Sequence, residues 1–341
     1  MTDADTTLPS TMKAWLYSNT SGGIESHLTF NPTANAPGSL KHSQVLIQVL
    51  SASLNPADYK VPEMNSLAKL FIYMPASPGM DYCGRVVAKG TGATGIKLGT
   101  TVYGTLGKPA QFGSLGEYIV ANVGEFAERP EGVEVDHLAA IGVAGQTAYQ
   151  SIVPYVKEGD RVFVNGGSGG CGMFVIQLAK LLGSSVTTTC STKNVEFCKE
   201  LGADEVIDYT KEDVLEALKR DGQVYDHIID HIGSPAELYK HSHLYLKPSK
   251  SFVQVGATSM TIFADRLIRP GFMGGGKRKY DILLFKNNRD HLAQLGQWVQ
   301  QGKVKVAIDS VFDYDHPVEA FKKLRSGRAR GKIIIHGPEK P

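Results

Sequence analysis

Three glycines that follow an apolar run are the strongest chemical signal in this sequence. Gly167, Gly169 and Gly172 form a Gly-x-Gly-x-x-Gly pattern directly after a predicted strand at 161–165 and at the start of a predicted helix. In that context the glycines permit a tight turn, a close approach of the backbone to a pyrophosphate, and packing of the helix on the strand. The helix N-terminus adds free N–H groups and a positive dipole end. The pattern predicts a dinucleotide-phosphate site formed by Gly167, Ser168, Gly169, Gly170, Cys171 and Gly172.

The end of the second predicted strand indicates which dinucleotide binds. Enzymes that use NAD usually have an acid there, about 20 residues after the glycines, to bind the ribose 2′-hydroxyl. This chain has Ser191 and Lys193 instead, a hydroxyl and a cation that can bind a 2′-phosphate. The sequence therefore predicts NADPH rather than NADH. Tyr209 is either a neighbour of the adenine or an ordinary aromatic residue at a strand end, and Gly256 completes the predicted cofactor contacts.

The elements that must position these residues fall into two groups. Residues 13–125 contain short β-type runs between glycine and proline turns, which predicts a compact β barrel. From about residue 160, strands alternate with helical segments, as is typical of a parallel sheet with helices on both faces. The predicted strands cover 161–165, 185–190, 205–208, 225–230, 251–256, 280–285, 304–312 and 332–336. The predicted helices cover 171–182, 193–202, 211–220, 235–241, 288–301 and 316–326.

Composition favours a globular protein that acts on small molecules. Lys and Arg number 36 against 34 Asp and Glu, so no strong field draws the chain to nucleic acid or to an anionic membrane. No apolar stretch approaches the roughly 20 residues of a membrane span. The four cysteines form no Cys-x-x-Cys pair, and the first residues have no features of a signal or transit peptide, so we expect a cytoplasmic location. Cys171 is either a small packing residue or a redox-sensitive thiol.

With these residues in view, the chain resembles the zinc-independent quinone oxidoreductase and enoyl reductase branch of the medium-chain dehydrogenase/reductase superfamily. The resemblance extends over nearly the whole length. Its motifs are Asn-Pro-Ala-Asp-Tyr-Lys at 55–60, Pro-Gly-Met-Asp-Tyr-Cys-Gly-Arg-Val at 78–86, Gly-Ser-Leu-Gly-Glu-Tyr at 113–118, the segment 139–149, the glycine loop, the segment 201–209 and Gly-Lys-Ile-Ile-Ile at 331–335.

The resemblance implies the fold and the domain boundaries. The expected fold class is α/β, with a Rossmann doubly wound parallel sheet and a GroES-like β-barrel catalytic domain. The catalytic domain would consist of residues 1–134 and 287–341, and the NADP-binding Rossmann domain would be residues 135–286 inserted between them.

Two zinc-ligand positions carry other residue types in this chain. Zinc alcohol dehydrogenases of the superfamily have Cys where Asn55 stands and Gly-His-Glu where Gly79, Met80 and Asp81 stand. A four-cysteine lobe is also missing around residues 104–116. We therefore expect no metal, and without a Lewis acid, simple alcohol oxidation is disfavoured. Two histidines at 227 and 231 are not expected to bind metal either, since on a strand they would lie about 13 Å apart.

Reduction of a conjugated C=C bond needs less assistance than alcohol oxidation. Hydride from the nicotinamide reaches the β-carbon, and donors must stabilise the enolate oxygen before the α-carbon is protonated. The resemblance places Lys60 and Thr147 beside nicotinamide and substrate and Asn55 in the cleft, so these are the predicted catalytic residues. Lys60 would donate a proton or stabilise charge, or it is a solvated loop lysine; Thr147 could also be a local helix cap. Asp58 is expected to tie its own loop.

Several functional alternatives stay open at this point. The chain could be a non-catalytic NADPH-binding module or partner protein, or, less in keeping with its residues, a zinc-type alcohol dehydrogenase. The expected partner is a hydrophobic small-molecule acceptor, either free or linked to CoA or a carrier, with pocket shape set by loops near 59–75, 104–115 and 258–280. The cations of the segment 277–279 either steer an anionic substrate at the cleft mouth or are a solvated loop. A homodimer through the strand at 280–285 is also expected.

Overall fold

The computed structural model describes residues 8–64, 67–256, 262, 266 and 275–339. Its strands are β1 (Thr11–Leu16), β2 (Thr29–Asn35), β3 (Gln44–Leu54), β4 (Asp81–Lys89), β5 (Thr101–Thr105), β6 (Tyr118–Asn122), β7 (Phe126–Glu128), β8 (Arg161–Asn165), β9 (Ser185–Cys190), β10 (Glu205–Asp208), β11 (His227–Asp230), β12 (Ser251–Gln254), β13 (Lys279–Ile282), β14 (Ile308–Phe312) and β15 (Lys332–His336).

The helices of the described residues are shorter on average than the predicted helices. They are α1 (Ala57–Lys60), α2 (Val135–Ala139), α3 (Gly142–Ile152), α4 (Gly172–Leu181), α5 (Val195–Glu200), α6 (Val214–Asp221), α7 (Glu237–Lys240), α8 (Arg289–Gln300) and α9 (Pro317–Arg325). Single-turn 3-10 helices at Ile24–Ser26, Pro62–Met64 and Ala68–Leu70 add to the N-terminal part. None of the described helices is long and apolar enough to cross a membrane.

The chain forms two compact units. Unit 1 comprises Met1–Gln146, Lys286–Gln301 and Val306–Pro341, and unit 2 comprises Thr147–Phe285 and Gly302–Lys305. The first division therefore falls inside α3 rather than after residue 134. The short segment Gly302–Lys305 belongs with unit 2 because Gln177 of α4 exchanges two hydrogen bonds with Lys305: the Gln177 amide donates to the Lys305 carbonyl at 2.9 Å, and the Lys305 N–H donates back at 2.7 Å.

Side-chain contacts explain why α2 and the start of α3 belong with unit 1. Asp136 in α2 accepts from His336 at 3.1 Å, at the end of β15. The Val143 N–H in α3 donates to Asp81 at 2.8 Å, at the start of β4. Such long-range pairs are not visible in a local sequence pattern, which is why the compact units divide at a different residue from the predicted boundary at 134.

Unit 1 is built around β3. Its seven-stranded sheet has the order β14-β15-β3-β4-β5-β7, and β6 also pairs with β3. Leu54 at the end of β3 lies opposite Ile333 of β15, and Ser53 lies opposite Asp81 of β4, both in antiparallel register. The register therefore brings the end of β3, the beginning of β4 and the beginning of β15 side by side.

Apolar side chains from α9 and the strands form the core of unit 1. Ile47, Tyr82, Phe126 and Phe321 are each at most 1% exposed and belong to one continuous cluster. Burial of a large apolar side chain contributes about 1.5–3 kcal/mol. This core supplies the rigid base on which the strand ends of unit 1 are held.

Unit 2 is a six-stranded parallel sheet with the order β10-β9-β8-β11-β12-β13. The strand order reverses between β8 and β11, and in sheets of this kind ligands bind at the carboxyl ends of the strands near such a reversal. The six strands predicted between residues 161 and 285 are all present, with small differences at their ends. The predicted doubly wound sheet is confirmed.

The cations at 277–279 lie at the other end of this sheet. Lys279 begins β13 and pairs with Ser251 at the beginning of β12, whereas the glycine loop follows the carboxyl end of β8. Arg278 donates to the carbonyls of His243 and Leu246, and Lys279 pairs with Asp281 at 2.9 Å. Within unit 2 these cations therefore lie at the amino end of the parallel sheet, away from the glycine loop, and steering of an anionic substrate by them stays a prediction. Gly274 lies outside the described residues.

Candidate active site

The glycine loop turns between β8 and α4 as the sequence predicts. A Cβ on Gly172 would lie 2.2 Å from the Gly166 carbonyl oxygen, and one on Gly167 would lie 2.2 Å from Thr188 Oγ1. Gly169 differs, because its added Cβ would have no described atom nearer than 3.6 Å. The outer glycines are thus required for the turn and its packing, while Gly169 leaves the backbone open on one side. This is the cradle that a dinucleotide pyrophosphate fits.

A polar frame under the loop holds it in place. Asn165, at the end of β8, donates to Asp230 of β11 at 2.9 Å and accepts from Thr189 Oγ1 of β9 at 2.7 Å. Thr189 Oγ1 in turn accepts from the Gly166 N–H at 2.9 Å. Asp230 also accepts from Arg266 at 3.1 Å, and both side chains are at most 4% exposed. Hydrogen bonds from β9 and β11 therefore hold both the end of β8 and the first residue of the glycine loop.

The remaining predicted cofactor residues lie at the same edge of unit 2. Ser191 and the exposed Lys193 follow β9, and Tyr209, 57% exposed, follows β10 and donates its N–H to the Cys190 carbonyl at 3.1 Å. Gly256 follows β12, where a Cβ would lie 2.5 Å from the His231 carbonyl oxygen. The parallel sheet brings all these positions to its carboxyl edge, as expected from their places after successive strands.

Asn194 is a site residue that the sequence patterns do not indicate. Its buried side chain donates to Ser168 Oγ at 3.1 Å and to Ser191 Oγ at 3.4 Å. It therefore joins the glycine loop to the end of β9 and fixes two hydroxyls that could meet phosphate groups. The only local signal for Asn194 is that it is a polar residue three positions after Ser191, whose hydroxyl is predicted to bind the 2′-phosphate.

Two matched glycine substitutions separate folding from cofactor binding. We expect Gly172→Ala to lower the free energy of unfolding by about 1–3 kcal/mol, because its Cβ meets rigid backbone. Gly169→Ala should leave stability within about 0.5 kcal/mol of the wild type and weaken NADPH binding at least ~10-fold, because its Cβ enters the open side of the loop. Urea denaturation and fluorescence titration of NADPH measure the two effects. Unchanged NADPH affinity in Gly169→Ala would contradict the cradle.

In unit 1, Asn55 lies in a buried polar network. The side chain is at the end of β3 and the residue is 4% exposed. Its Nδ2 donates to Asp81 Oδ2 at 2.7 Å, and its Oδ1 accepts from Lys332 Nζ at 2.6 Å. Lys332 also donates to the Leu54 carbonyl at 3.0 Å. Asn55 was expected as a donor in a cleft, and the structure adds that its amide is held by a carboxylate and an ammonium.

Two carboxyl groups accompany this network. The Asn55 N–H donates to Asp58 Oδ2 at 2.6 Å, so Asp58 closes its own loop as the sequence predicts. Burial, and to a smaller extent the nearby Asp81, raise the pKa of Asp58 to about 8, against the lowering effects of the Asn55 N–H and Lys332. Burial also raises the pKa of Asp81, against the lowering effects of Lys332 and the hydrogen bonds from Asn55 and Val143. The network therefore carries less negative charge than two exposed aspartates would.

Lys60 ends α1, one turn after Asn55. The residue is exposed overall, but partial burial of its ammonium lowers the pKa of Lys60. Next to it, Tyr59 lies under the guanidinium of Arg325 at 4.3 Å from the ring centroid, and Arg325 also pairs with Glu25 at 2.6 Å and with Glu63. This clamp ties the segment around Lys60 to α9 and to the 3-10 helix at Ile24–Ser26.

Thr147 is the first residue of unit 2 and lies inside α3. It is 7% exposed. Because α3 begins at Gly142, Thr147 is not at the helix N-terminus, and the alternative of a local cap is wrong. The structure describes Thr147 in a different unit from Asn55 and Lys60, so the predicted catalytic trio remains a prediction.

Sequence comparisons place the chain among known proteins. The family described as "Alcohol dehydrogenase GroES-like domain" matches residues 41–131, and the family described as "Zinc-binding dehydrogenase" matches residues 201–335. The chain is 44% identical to trans-enoyl reductase pgmF of Aspergillus terreus over 96% of this chain and 97% of that protein. It is 32% identical to the chloroplastic NADPH-dependent alkenal/one oxidoreductase of Arabidopsis thaliana, over 98% of this chain and 81% of that protein.

The fold comparison agrees. The structure of the quinone oxidoreductase from Coxiella burnetii superposes with a TM-score of 0.83 at 31% identity, over 95% of this chain and 99% of that one. The chain belongs to the medium-chain dehydrogenase/reductase superfamily. It is an oxidoreductase of the quinone oxidoreductase and enoyl reductase branch, with a GroES-like domain, a Rossmann domain and a nicotinamide cofactor.

The positions that hold zinc ligands in other members of this superfamily carry Asn55 and Met80 here. Asn55 stands in the network just described, and Met80 is a 2% exposed apolar side chain. Across the described residues, no three His, Cys, Asp or Glu side chains come together to hold a metal ion. His227 is likewise engaged elsewhere: its Nε2 donates to the Ser151 carbonyl at 2.8 Å, and burial lowers the pKa of its ring to about 4.

Proposed function

We propose that this medium-chain reductase uses NADPH, without zinc, to reduce an activated C=C bond of an enone or enoyl thioester, or a quinone. The observation that carries the proposal is the amide of Asn55, buried and fixed at a position where zinc relatives have a metal ligand, with Lys60 following it at the end of α1. The relatives named as a trans-enoyl reductase and an alkenal/one oxidoreductase support the same reaction class.

The chain's own residues would bind the cofactor and stabilise charge. A bound NADPH supplies the hydride. The glycine loop would hold its pyrophosphate against backbone N–H groups, and Gly256 would allow close approach at the neighbouring strand end. Asn55 would donate an N–H to the acceptor's carbonyl oxygen, whose negative charge increases during reduction. Lys60, with its lowered pKa, would supply the proton that completes the product, and Thr147 would add a hydroxyl donor.

The acceptor is proposed to be hydrophobic. Leu67, Leu70, Phe71 and Tyr73 follow Lys60 closely and are 55%, 78%, 40% and 71% exposed. A run of large exposed apolar side chains usually marks a binding surface. A CoA or carrier group attached to the acceptor stays a prediction, which the substrate panel tests. Most of the segment 258–280, expected to shape the pocket, lies outside the described residues.

A substrate panel tests the proposed reaction. NADPH consumption at 340 nm would be followed with a quinone, a small enone and an enoyl-CoA, and NADH would be run beside it. Turnover of at least one acceptor with stoichiometric product, unaffected by chelators and with no bound zinc by elemental analysis, is the expected result. Tight NADPH binding without turnover on any acceptor would favour a non-catalytic binding module, and stoichiometric zinc would overturn the metal-free assignment.

Cofactor choice can be tested at the end of β9. We expect Lys193→Ala to raise KM for NADPH by ~10-fold while leaving KM for NADH within twofold. The substitution removes a cation that would pair with the 2′-phosphate, and NADH has no such phosphate. Ser191→Asp should reverse the preference by repelling that phosphate. Lys199→Ala is the matched control, because Lys199 is an exposed cation in α5 that pairs with Glu196. Equal effects of Lys193→Ala on both cofactors would refute the assignment.

The exposed edge of β13 and the free cysteines bear on assembly and location. Among the described residues, β13 has a strand neighbour on one side only, and Leu284 just after it is 76% exposed. These features support a homodimer through this edge, and a monomeric mass by light scattering at micromolar concentration would exclude it. All four cysteines are free, which supports a reducing compartment such as the cytoplasm.

A further inference from the structure

Lys332 is a buried cation, and three of its contacts lie around Asn55. It begins β15, and its side chain is 3% exposed. Its Nζ donates to Asn55 Oδ1 at 2.6 Å and to the Leu54 carbonyl at 3.0 Å, and it lies 3.6 Å from Asp81 Oδ2. A charged amine in such a position is costly unless it is paired, so these contacts account for its burial.

The two charged neighbours of Asn55 fix which way its amide points. The amide oxygen faces the ammonium of Lys332, and the amide nitrogen faces the carboxylate of Asp81. Rotating the amide by half a turn would place N–H groups against an ammonium and an oxygen against a carboxylate, which is unfavourable at both ends. Asp81 is itself held from its other oxygen by the Val143 N–H at 2.8 Å. The orientation of Asn55 is therefore determined by charges from two other strands.

One amide hydrogen remains available. Asp81 takes one of the two hydrogens on Nδ2, and among residues 8–64, 67–256 and 275–339 no other acceptor bonds this nitrogen. Charge-assisted bonds on both ends also polarise the amide, which makes the remaining N–H a better donor. An oxygen that gains negative charge would benefit from such a fixed donor.

We infer that Lys332 and Asp81 are positioning residues that lock the Asn55 amide with one N–H free for the acceptor's carbonyl oxygen. This inference rests on the proposed function, in which Asn55 is the donor. The role extends the site to the last strand of the chain, 277 positions away from Asn55 in sequence. Neither residue touches the substrate in this assignment; each acts through Asn55.

A double-mutant cycle tests the inference with a readout that a purely structural role would not give. Lys332→Met and Asn55→Ala would be made singly and together, and kcat measured with the best acceptor of the panel. We expect each single variant to lose ~10-fold or more in kcat with unchanged NADPH affinity, and the double variant to be no slower than Asn55→Ala alone. Lys332→Arg, which can still donate to Oδ1, should recover most of the rate.

The outcomes distinguish the donor role of Asn55 from the positioning role of Lys332. If Asn55→Ala keeps the wild-type kcat, the donor role in the proposed function fails and the inference fails with it. If Asn55→Ala is slow but the losses in the double variant multiply, the donor role stands and the positioning role of Lys332 is overturned. If Lys332→Met does not fold, the charge-balanced variant Lys332→Met with Asp81→Asn replaces it in the same cycle, with the same expected non-additivity.

Discussion

Replacing Lys60 by Met should reduce kcat with an enone or enoyl thioester by ~100-fold or more, while NADPH affinity stays within twofold of the wild type. The magnitude is that of a lost general acid. The side chain ends α1, and partial burial of its ammonium lowers the pKa of Lys60 towards the range in which it can give up a proton. As a proton donor, Lys60 should also make the wild-type rate fall as pH rises through that lowered pKa. Stopped-flow and steady-state assays across pH measure both effects.

Two further variants separate the roles of this lysine. Lys60→Arg keeps the charge but does not release a proton near neutral pH. We expect it to be slow as well, with a flat alkaline limb, if Lys60 is the proton donor; near-wild-type activity would instead assign it to charge stabilisation. Lys97→Met removes an exposed lysine of the same unit and serves as the control. A Lys60→Met enzyme within threefold of the wild type would remove Lys60 from the mechanism.

The second large effect concerns stability and pH. The pKa of Asp58 rises from 3.8 to about 8, mainly through burial, so the folded protein retains a proton that the unfolded chain has already lost. A raised pKa of this kind gives stability that is fully present below about pH 4 and is lost as pH rises towards 8. The slope is about 1.4 kcal/mol per pH unit, and the full loss is on the order of 5 kcal/mol. We expect Asp58→Asn, which is neutral at every pH, to abolish this contribution.

The expected result is a crossing pair of stability curves. In urea denaturation at pH 5, 6, 7 and 8, the free energy of unfolding of Asp58→Asn should gain steadily on that of the wild type and level off above pH 8. Asp315→Asn, which changes an exposed carboxylate of the same unit, controls for the net charge. Parallel curves for the wild type and Asp58→Asn would show that Asp58 is ionised in the folded protein.

Local patterns were sufficient to predict the carboxyl edge of the parallel sheet, where the proposed cofactor residues lie. The glycine loop, the strand ends that carry Ser191 and Tyr209, and the parallel sheet all depend on residues close in sequence. A hydrophobic strand followed by glycines and a helix has few ways to fold, and parallel strands bring their carboxyl ends together. The prediction of this edge therefore required no knowledge of distant contacts.

The surroundings of Asn55 could not be predicted in this way. Lys332 was recognised only as part of a closing motif, because its contact with Asn55 depends on the register between β15 and β3. The boundary inside α3 depends on Val143 meeting Asp81, and the edge on which Lys279 lies depends on the direction of β13. Each of these is a pairing of distant segments, which composition and spacing do not encode.

The buried ammonium of Lys332 has a consequence for how this chain could acquire a metal. Exchanging Asn55 for a metal-binding cysteine would remove the amide that accepts from Lys332 Nζ at 2.6 Å and donates to Asp81 Oδ2 at 2.7 Å. The buried ammonium of Lys332 would lose one of its described partners, and a metal ion bound nearby would add further positive charge to a buried site. A metal ligand at position 55 is therefore epistatic with positions 332 and 81, because the same substitution separates two charges that the amide now bridges.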